Sequence, residues 1–330
     1  MSFRFEFRPY ARRFKEPLQT AIGQWQVREG FVLRMEDDDG TVGFGEVAPV
    51  PWFGTETLKI AETFLSSVRA DGLPSKMPKG LPCCRFAISC CRSVMRQDFE
   101  PSSVTAPVAG LLPAGHASLN KMAELSAEGF RFFKWKMGIQ SFDEEFELLE
   151  ALVRALPASG RLRIDANGSW GLVEAWRWLE SLQGMECIEF IEDPLDPALW
   201  EASRGLADAF SCLLALDLPL TSAEAPRILG SSWPGYLVLK PSLFGRVGEV
   251  RELAQKFFRR MVFSTVFETA FGYEAVLRLA LSEGDNQLAL GMGGQDMFES
   301  DGLRLHSSSP HLQAGEIEFD ALEKAWREIE

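Results

Sequence analysis

The chain has 330 residues, 46% of them hydrophobic and 25% charged. That make-up suits a compact soluble protein with a sizeable core and excludes a chain that is mainly disordered. A formal net charge of −13 leaves little of the positive surface that a nucleic-acid or anionic-membrane partner requires.

The first residues alternate, with Phe3, Phe5 and Phe7 on one face, and lack the continuous apolar core of a signal peptide. No later run approaches the roughly 18 apolar residues of a spanning helix. We therefore expect a cytoplasmic protein whose partner is a small molecule, with no nucleic acid and no membrane. Residues 31–35, the turn Asp37-Asp38-Asp39-Gly40 and residues 42–46 read as antiparallel strands around a tight turn. Helical patterns follow at 55–70 and 82–97. Residues 1–100 thus form an α+β unit. Its loops at 20–25 and 49–54 carry Gly, Trp and Phe, which suits either closure over an apolar ligand or ordinary surface turns. The chain has six cysteines, and Cys83-Cys84 and Cys90-Cys91 invite a zinc reading. They flank a helix-like run with no histidine near to complete a tetrahedral shell, so buried thiols packing a helix fit better.

From about residue 105 a short apolar strand followed by a helix repeats. Strands are expected near 105–111, 131–137, 162–166, 187–192, 212–217, 236–240, 261–265 and 287–291. Helical stretches lie between them at 119–128, 142–156, 172–182, 199–209, 247–259 and 273–282. Eight strands with intervening helices match a barrel. An open doubly wound sheet would carry a Gly-rich phosphate turn after its first strand, and Gly110-Leu111-Leu112-Pro113 is not one. Residues 101–300 are read as the barrel, and 301–330 as a segment that returns to the first domain.

In a barrel the C-terminal strand ends face the active site. Lys136, Asp165, Glu192, Asp217 and Lys240 fall there on five successive strands. Three converging carboxylates repel one another unless a divalent cation neutralises them, and oxygen-only ligands favour Mg²⁺ or a similar hard metal such as Mn²⁺. Asp165, Glu192 and Asp217 are the expected metal shell. Lys134 and Lys136 share a strand face. A lysine serves as a base when burial and neighbouring cations lower its pKa toward roughly 7–8, and Lys134 and Lys240 could act on Lys136 in this way. The constellation points to proton abstraction next to a carboxylate.

The Lys134-x-Lys136 strand, followed by Asp165, Glu192 in Glu-Asp-Pro, Asp217 and Lys240, resembles the muconate lactonizing subgroup of the enolase superfamily. Three stretches resemble the o-succinylbenzoate synthase family within it: residues 43–51 with Glu56-Thr57, residues 239–245, and residues 264–272. The resemblance covers nearly the whole chain. It implies a (β/α)7β TIM-like barrel with an N-terminal α+β capping domain, Mg²⁺ as cofactor, and a lyase reaction. In that reaction Lys136 would remove the α-proton of 2-succinyl-6-hydroxy-2,4-cyclohexadiene-1-carboxylate and return it to the departing hydroxide, in menaquinone or phylloquinone biosynthesis. Lys240 would stabilise the enediolate from across the ring, and Lys134 would tune Lys136. Arg163 and Asn167 share the inward parity of Asp165 and are expected to touch the substrate or order the metal shell. Ser264, Gly291 and Met292 match positions lining the family's pocket.

Two departures stand out. The subgroup continues its third ligand as Asp-Glu-Ser, whereas here Asp217 is followed by Leu218-Pro219, which removes an acid from the surroundings of the metal. Gln295-Asp296-Met297 lacks the paired aspartates with which dipeptide epimerases hold a substrate amine. N-acylamino acid racemisation is the alternative, since two lysines flanking an enediolate can deliver a proton to either face. His116, His306 and His311 lie outside the strand ends, which argues against a histidine base.

Overall fold

The computed structural model describes residues 3–20, 23–98, 104–210, 214–282, 288–306, 308–315 and 317–329. The chain opens with an antiparallel sheet in the order β1 (Phe3–Thr20), β2 (Gly23–Asp37), β3 (Val42–Val47). The turn between β2 and β3 forms because Asp37 accepts the amides of Asp39 and Thr41 on its carboxylate, while Gly40 supplies φ +81°. Two helices, α1 (Leu58–Asp71) and α2 (Pro82–Met95), cover one face of the sheet. Phe5, Phe31, Leu33, Met35 and Val47 meet Leu65, Val68, Ala87 and Ile88 there. A Cβ at Gly43 or Gly45 would collide with the main-chain carbonyls of Cys91 or Ala87, so these glycines let α2 lie directly on β3. Cys83, Cys84 and Cys91 are buried in this core and Cys90 faces the barrel core. Burial raises the pKa of all four thiols.

The rest of the chain alternates strand and helix: β4 (Thr105–Pro107), β5 (Ala109–Leu112), α3 (Ala117–Ala127), β6 (Phe132–Lys136), α4 (Phe142–Ala155), β7 (Arg161–Asp165), α5 (Leu172–Leu182) and β8 (Ile188–Glu192). After these come α6 (Trp200–Ala209), β9 (Leu214–Leu216), α7 (Ala225–Gly230), β10 (Tyr236–Leu239), α8 (Val247–Lys256), β11 (Met261–Phe263) and α9 (Ala270–Ser282). The strands from β5 to β11 form one parallel sheet in chain order. Residues 290 and 291 join its edges, because Leu290 bridges Val108 and Gly291 bridges Ser264. The eighth unit expected at 287–291 is therefore a pair of bridges, and residue 287 lies outside the described residues. Residues 212 and 213 of the expected fifth strand lie outside them as well. Phe190, Ala215, Val238 and Val262 fill the barrel interior, and the helices pack outside on a much larger apolar layer. The architecture is a (β/α)7β barrel with an α+β cap. No helix among the described residues is long and apolar enough to cross a membrane.

The last segment adds β12 (His311–Gln313), antiparallel to β4, and α10 (Phe319–Glu328). Leu322, Ala325 and Trp326 of α10 pack on Tyr10, Val32 and Phe44 of the cap sheet. Arg8 ties the same helix end down by donating to the carbonyls of Trp326 and Ile329, at 2.9 and 2.7 Å.

Cap and barrel are joined through charge that is wholly buried. Glu46 on β3 is 1% exposed and sits at the N-terminus of α9, where amides lack intrahelical partners and the dipole favours an anion. It accepts from the amides of Thr269 (2.9 Å) and Gly272 (3.0 Å) and from the hydroxyls of Tyr10 and Thr269. Arg12 and Arg28 reach down from the cap to the carbonyls of Glu268 and Val266, at 3.0 and 3.1 Å. Glu46→Ala would strand two hydroxyls and two amides in the interior. We expect a loss of about 3 kcal/mol of stability, measured as a lower denaturant midpoint, and an unchanged midpoint would show that the joint contributes nothing.

Candidate active site

Strand register brings the charges together. Lys136 pairs with Asp165 across β6 and β7, and Asp165 with Glu192 across β7 and β8. Three charged side chains thus stand abreast on one rim. Asp217 follows β9 directly and Lys240 follows β10, extending that rim across five strands. Lys134 lies two residues below Lys136 on the same face, level with Arg163.

The three lysines differ in their partners. Lys134 Nζ lies 2.6 Å from Glu192 Oε1 and 3.1 Å from Asp165 Oδ2. Lys240 is buried and forms an ion pair with Asp217, its ammonium 5.9 Å from the centroid of Phe53. Lys136 is exposed into a groove lined by Leu111, Glu128, Met292, Gly293, Gly294 and Ser309, which the rim residues Asp165, Glu192, Asp217 and Lys240 do not line, and among the described residues it makes no ion pair. Burial lowers the pKa of the Lys134 ammonium, but Asp165, Glu192 and Asp217 outweigh burial and hold it above the ordinary lysine range. Burial raises the Glu192 carboxyl to about 7, with Lys134 opposing the rise and Asp165 and Asp217 adding to it.

Asp193 belongs to the acidic cluster, although the sequence pattern singled out only its neighbour. Carboxylate oxygens of Glu192, Asp193 and Asp217 lie within 4.8 Å of one another, and burial followed by Asp217 and Glu192 pushes the Asp193 pKa up. Both of its oxygens accept main-chain amides, from Asp217 at 3.0 Å and Leu218 at 2.8 Å. Asp165 and Glu192 converge on the single ammonium of Lys134, so their oxygens already address one common cation position. Asp165 lies outside the group formed by Glu192, Asp193 and Asp217, so the carboxylates drawn together differ from the expected shell by Asp193 in place of Asp165; all four are buried oxygen donors, which fits a hard divalent ion.

The remaining candidates take separate places. Arg163 is 2% exposed and lies beneath the rim, its Nε 2.6 Å from Glu189 and its guanidinium over Phe190. Asn167 acts through its main chain, donating its amide to Asp165 Oδ1 at 3.1 Å from a left-handed φ of +50°. Ser264 Oγ donates to the carbonyl of Gly291 at 2.8 Å, so these two form the barrel seam. Met292 is buried beside the Lys136 groove. Gln295 is turned away to the carbonyl of Glu268, and Asp296 pairs with Arg304.

One contribution besides Asp193 escaped the sequence pattern. Glu145 of α4 is 2% exposed and accepts the amides of Gly138 (2.7 Å) and Ile139 (3.0 Å), fixing the loop that follows Lys136. The acid-rich first turn after Ser141 was its signal. From the cap, Trp52 and Phe53 in a 3-10 turn approach the rim. Phe14, Trp25, Trp52, Phe267 and Phe298 connect through ring contacts with centroids 4.5 to 5.7 Å apart. The expected loop at 20–25 is instead the end of β1 and the start of β2, with residues 21 and 22 outside the described residues; Trp25 there and Trp52 in the 49–54 segment belong to one apolar wall.

Similarity to known proteins follows the same two units. Residues 118–280 match the family described as enolase C-terminal domain-like, and residues 17–95 match the MenC N-terminal domain. The chain is 37% identical over 285 residues to the o-succinylbenzoate synthase of Thermosynechococcus vestitus, covering 84% of this chain and 88% of that protein. To the o-succinylbenzoate synthase of Haemophilus influenzae it is 28% identical, over 86% of this chain and 87% of that protein. The crystal structure of o-succinylbenzoate synthase from Thermosynechococcus elongatus, complexed with Mg in the active site, superposes with a TM-score of 0.84 at 34% identity, over 98% of this chain and 99% of that one. The L-Ala-D/L-Glu epimerase of Bacillus subtilis shares the fold, with a TM-score of 0.78 at 16% identity over 94% of this chain and 95% of that one. With both of its units matched and its relatives covered nearly end to end, the chain belongs to the o-succinylbenzoate synthase family of lyases in the enolase superfamily.

Proposed function

We propose that this chain catalyses the loss of water from 2-succinyl-6-hydroxy-2,4-cyclohexadiene-1-carboxylate to give 2-succinylbenzoate, with Mg²⁺ as its metal and Mn²⁺ as a substitute. The observation that carries the assignment of the base is the contrast among the lysines. Lys134 and Lys240 are held by carboxylates, whereas Lys136 stands in the open groove without an acid partner among the described residues.

A neutral Lys136 amine takes the proton from the carbon bearing the substrate carboxylate, and the electron pair of that C–H bond enters the ring. The C–O bond of the neighbouring carbinol then breaks, and Lys136 returns its proton to the departing hydroxide. Water leaves and the ring becomes aromatic. Asp165, Glu192 and Asp217 would hold the Mg²⁺, which when bound draws negative charge from the substrate carboxylate as the proton departs. Lys240 places a fixed cation on the far side of the substrate, where it opposes the developing charge in a partly desolvated site. Lys134 stays within the acid cluster and limits repulsion among its carboxylates. Phe53, Trp52 and Trp25 exclude water from above.

Both lysines flank the site in either reaction, so it is the 37% identity to an o-succinylbenzoate synthase over 84% of the chain that favours dehydration over racemisation. The same proposal places the reaction in menaquinone or phylloquinone biosynthesis in the cytoplasm. Replacing Lys136 tests the assignment. Lys136→Ala should lower kcat by about 10²–10⁴-fold, the usual contribution of a positioned base, while Mg²⁺ affinity by calorimetry and thermal unfolding stay at wild-type values. Substantial remaining turnover would mean that another group removes the proton.

A further inference from the structure

We infer that Asp193 is a positioning residue that sets the direction of the Asp217 carboxylate by gripping the main chain beneath it. The inference rests on the reading of Asp217 as a cation ligand. The carboxylate of Asp193 spans two successive amides, with Oδ1 accepting from Asp217 and Oδ2 from Leu218, at 3.0 and 2.8 Å. An ionised carboxylate has about four acceptor positions, but here the plane of the group is fixed by the two amides it bridges. Asp217 lies beyond the last paired residue of β9, and its amide goes to the Asp193 carboxylate.

The main chain of Asp193 is gripped in turn on both sides. Its amide donates to the carbonyl of Ala215 on β9 at 3.0 Å, and its carbonyl accepts from the amide of Gly168, in the loop behind Asp165, at 2.7 Å. One residue therefore links the two strand ends flanking β8, and with them the three acids expected to face the metal. Asp193 adopts φ +46°, a left-handed conformation that aspartate and asparagine tolerate better than most residues. The residue is 2% exposed, so its carboxylate has no bulk water to turn to.

This arrangement also accounts for the missing acid after Asp217. The grip acts on the amide of residue 218, not on its side chain, so leucine there leaves the direction of Asp217 unchanged. Asp193 itself, although close enough to Glu192 and Asp217 to be taken for a third ligand, spends both oxygens on amides.

Calorimetry with Mn²⁺, together with the electron paramagnetic resonance spectrum of the bound ion, separates the possibilities. Wild type should bind one ion, and Asp217→Asn should lose the site. Asp193→Asn, which places an amide NH₂ against a main-chain N–H, should keep one ion but raise its Kd about 10–100-fold, the range for groups that orient ligands. The metal concentration for half-maximal rate should rise with it, while kcat at saturating metal is largely kept. Asp193→Gly removes the carboxylate but accepts the same φ, and it carries the test if the asparagine variant fails to fold. Leu218→Ala should bind as wild type does. Wild-type affinity in both Asp193 variants would overturn the inference, and so would complete loss of the site in both, which would make Asp193 a ligand. A wild-type chain that binds no divalent ion would overturn the metal reading itself, and the inference with it.

Discussion

Carboxylates crowded at neighbouring strand ends are mutually repulsive, and burial makes each of them harder to ionise. Asp165, Glu192, Asp193 and Asp217 are all buried and converge at the C-terminal mouth of one barrel. Positive groups answer them at fixed places: Lys134 between Asp165 and Glu192, Lys240 on Asp217, and two main-chain amides on Asp193. The same crowding creates demand for a divalent ion, and Lys136, which among the described residues makes no ion pair, faces the groove. Much of the remaining structure can be understood as support for that geometry. The barrel supplies strand ends in register, Glu145 anchors the loop after Lys136, and the seam at Ser264 and Gly291 closes the wall.

The cap matters because a proton abstracted beside a carboxylate must be kept from bulk water. Its attachment to the barrel is unusually polar for a buried junction. Glu46 serves as the anion at the start of α9, while Arg12 and Arg28 satisfy carbonyls of the loop between β11 and α9. That loop carries Phe267 at φ +65°, a conformation disfavoured for an aromatic residue and held in place by these contacts. Phe267 in turn packs on Phe14, Trp25 and Phe298. Buried charge, loop shape and apolar wall thus form one continuous structure from the cap core to the mouth of the site.

The sequence was most legible where short apolar runs end in charge, since both the parallel strand and the functional side chain at its tip leave a mark. The strand ends bearing Lys136, Asp165 and Glu192 lie where that pattern placed them, and α5 spans the expected 172–182. Other features depend on neighbours that no local pattern reveals. Among the described residues of the expected eighth strand, Leu290 and Gly291 make isolated bridges to Val108 and Ser264. Pro226 and the six-residue length of α7 leave too little periodicity to read. β1 continues through Pro9 and Pro17, which is tolerated because β1 lies at the sheet edge and its pairing is irregular between Arg13 and Leu18. Arg163 does point inward, as its parity requires, but the register shift between β7 and β8 inserts Glu189 beside it, and the pair is retained below the rim. A bulge of this kind is invisible to alternation. The grip of Asp193 on Asp217 and Leu218 escaped notice for a similar reason, since its partners are main-chain amides.

The most direct test of the account is to incubate the purified chain with Mg²⁺ and 2-succinyl-6-hydroxy-2,4-cyclohexadiene-1-carboxylate and follow the diene absorbance, with a parallel sample in EDTA. The account predicts rapid loss of the diene and appearance of the aromatic product with Mg²⁺, and neither with EDTA. A diene that persists while Mg²⁺ is bound, or one consumed equally fast in EDTA, would contradict it.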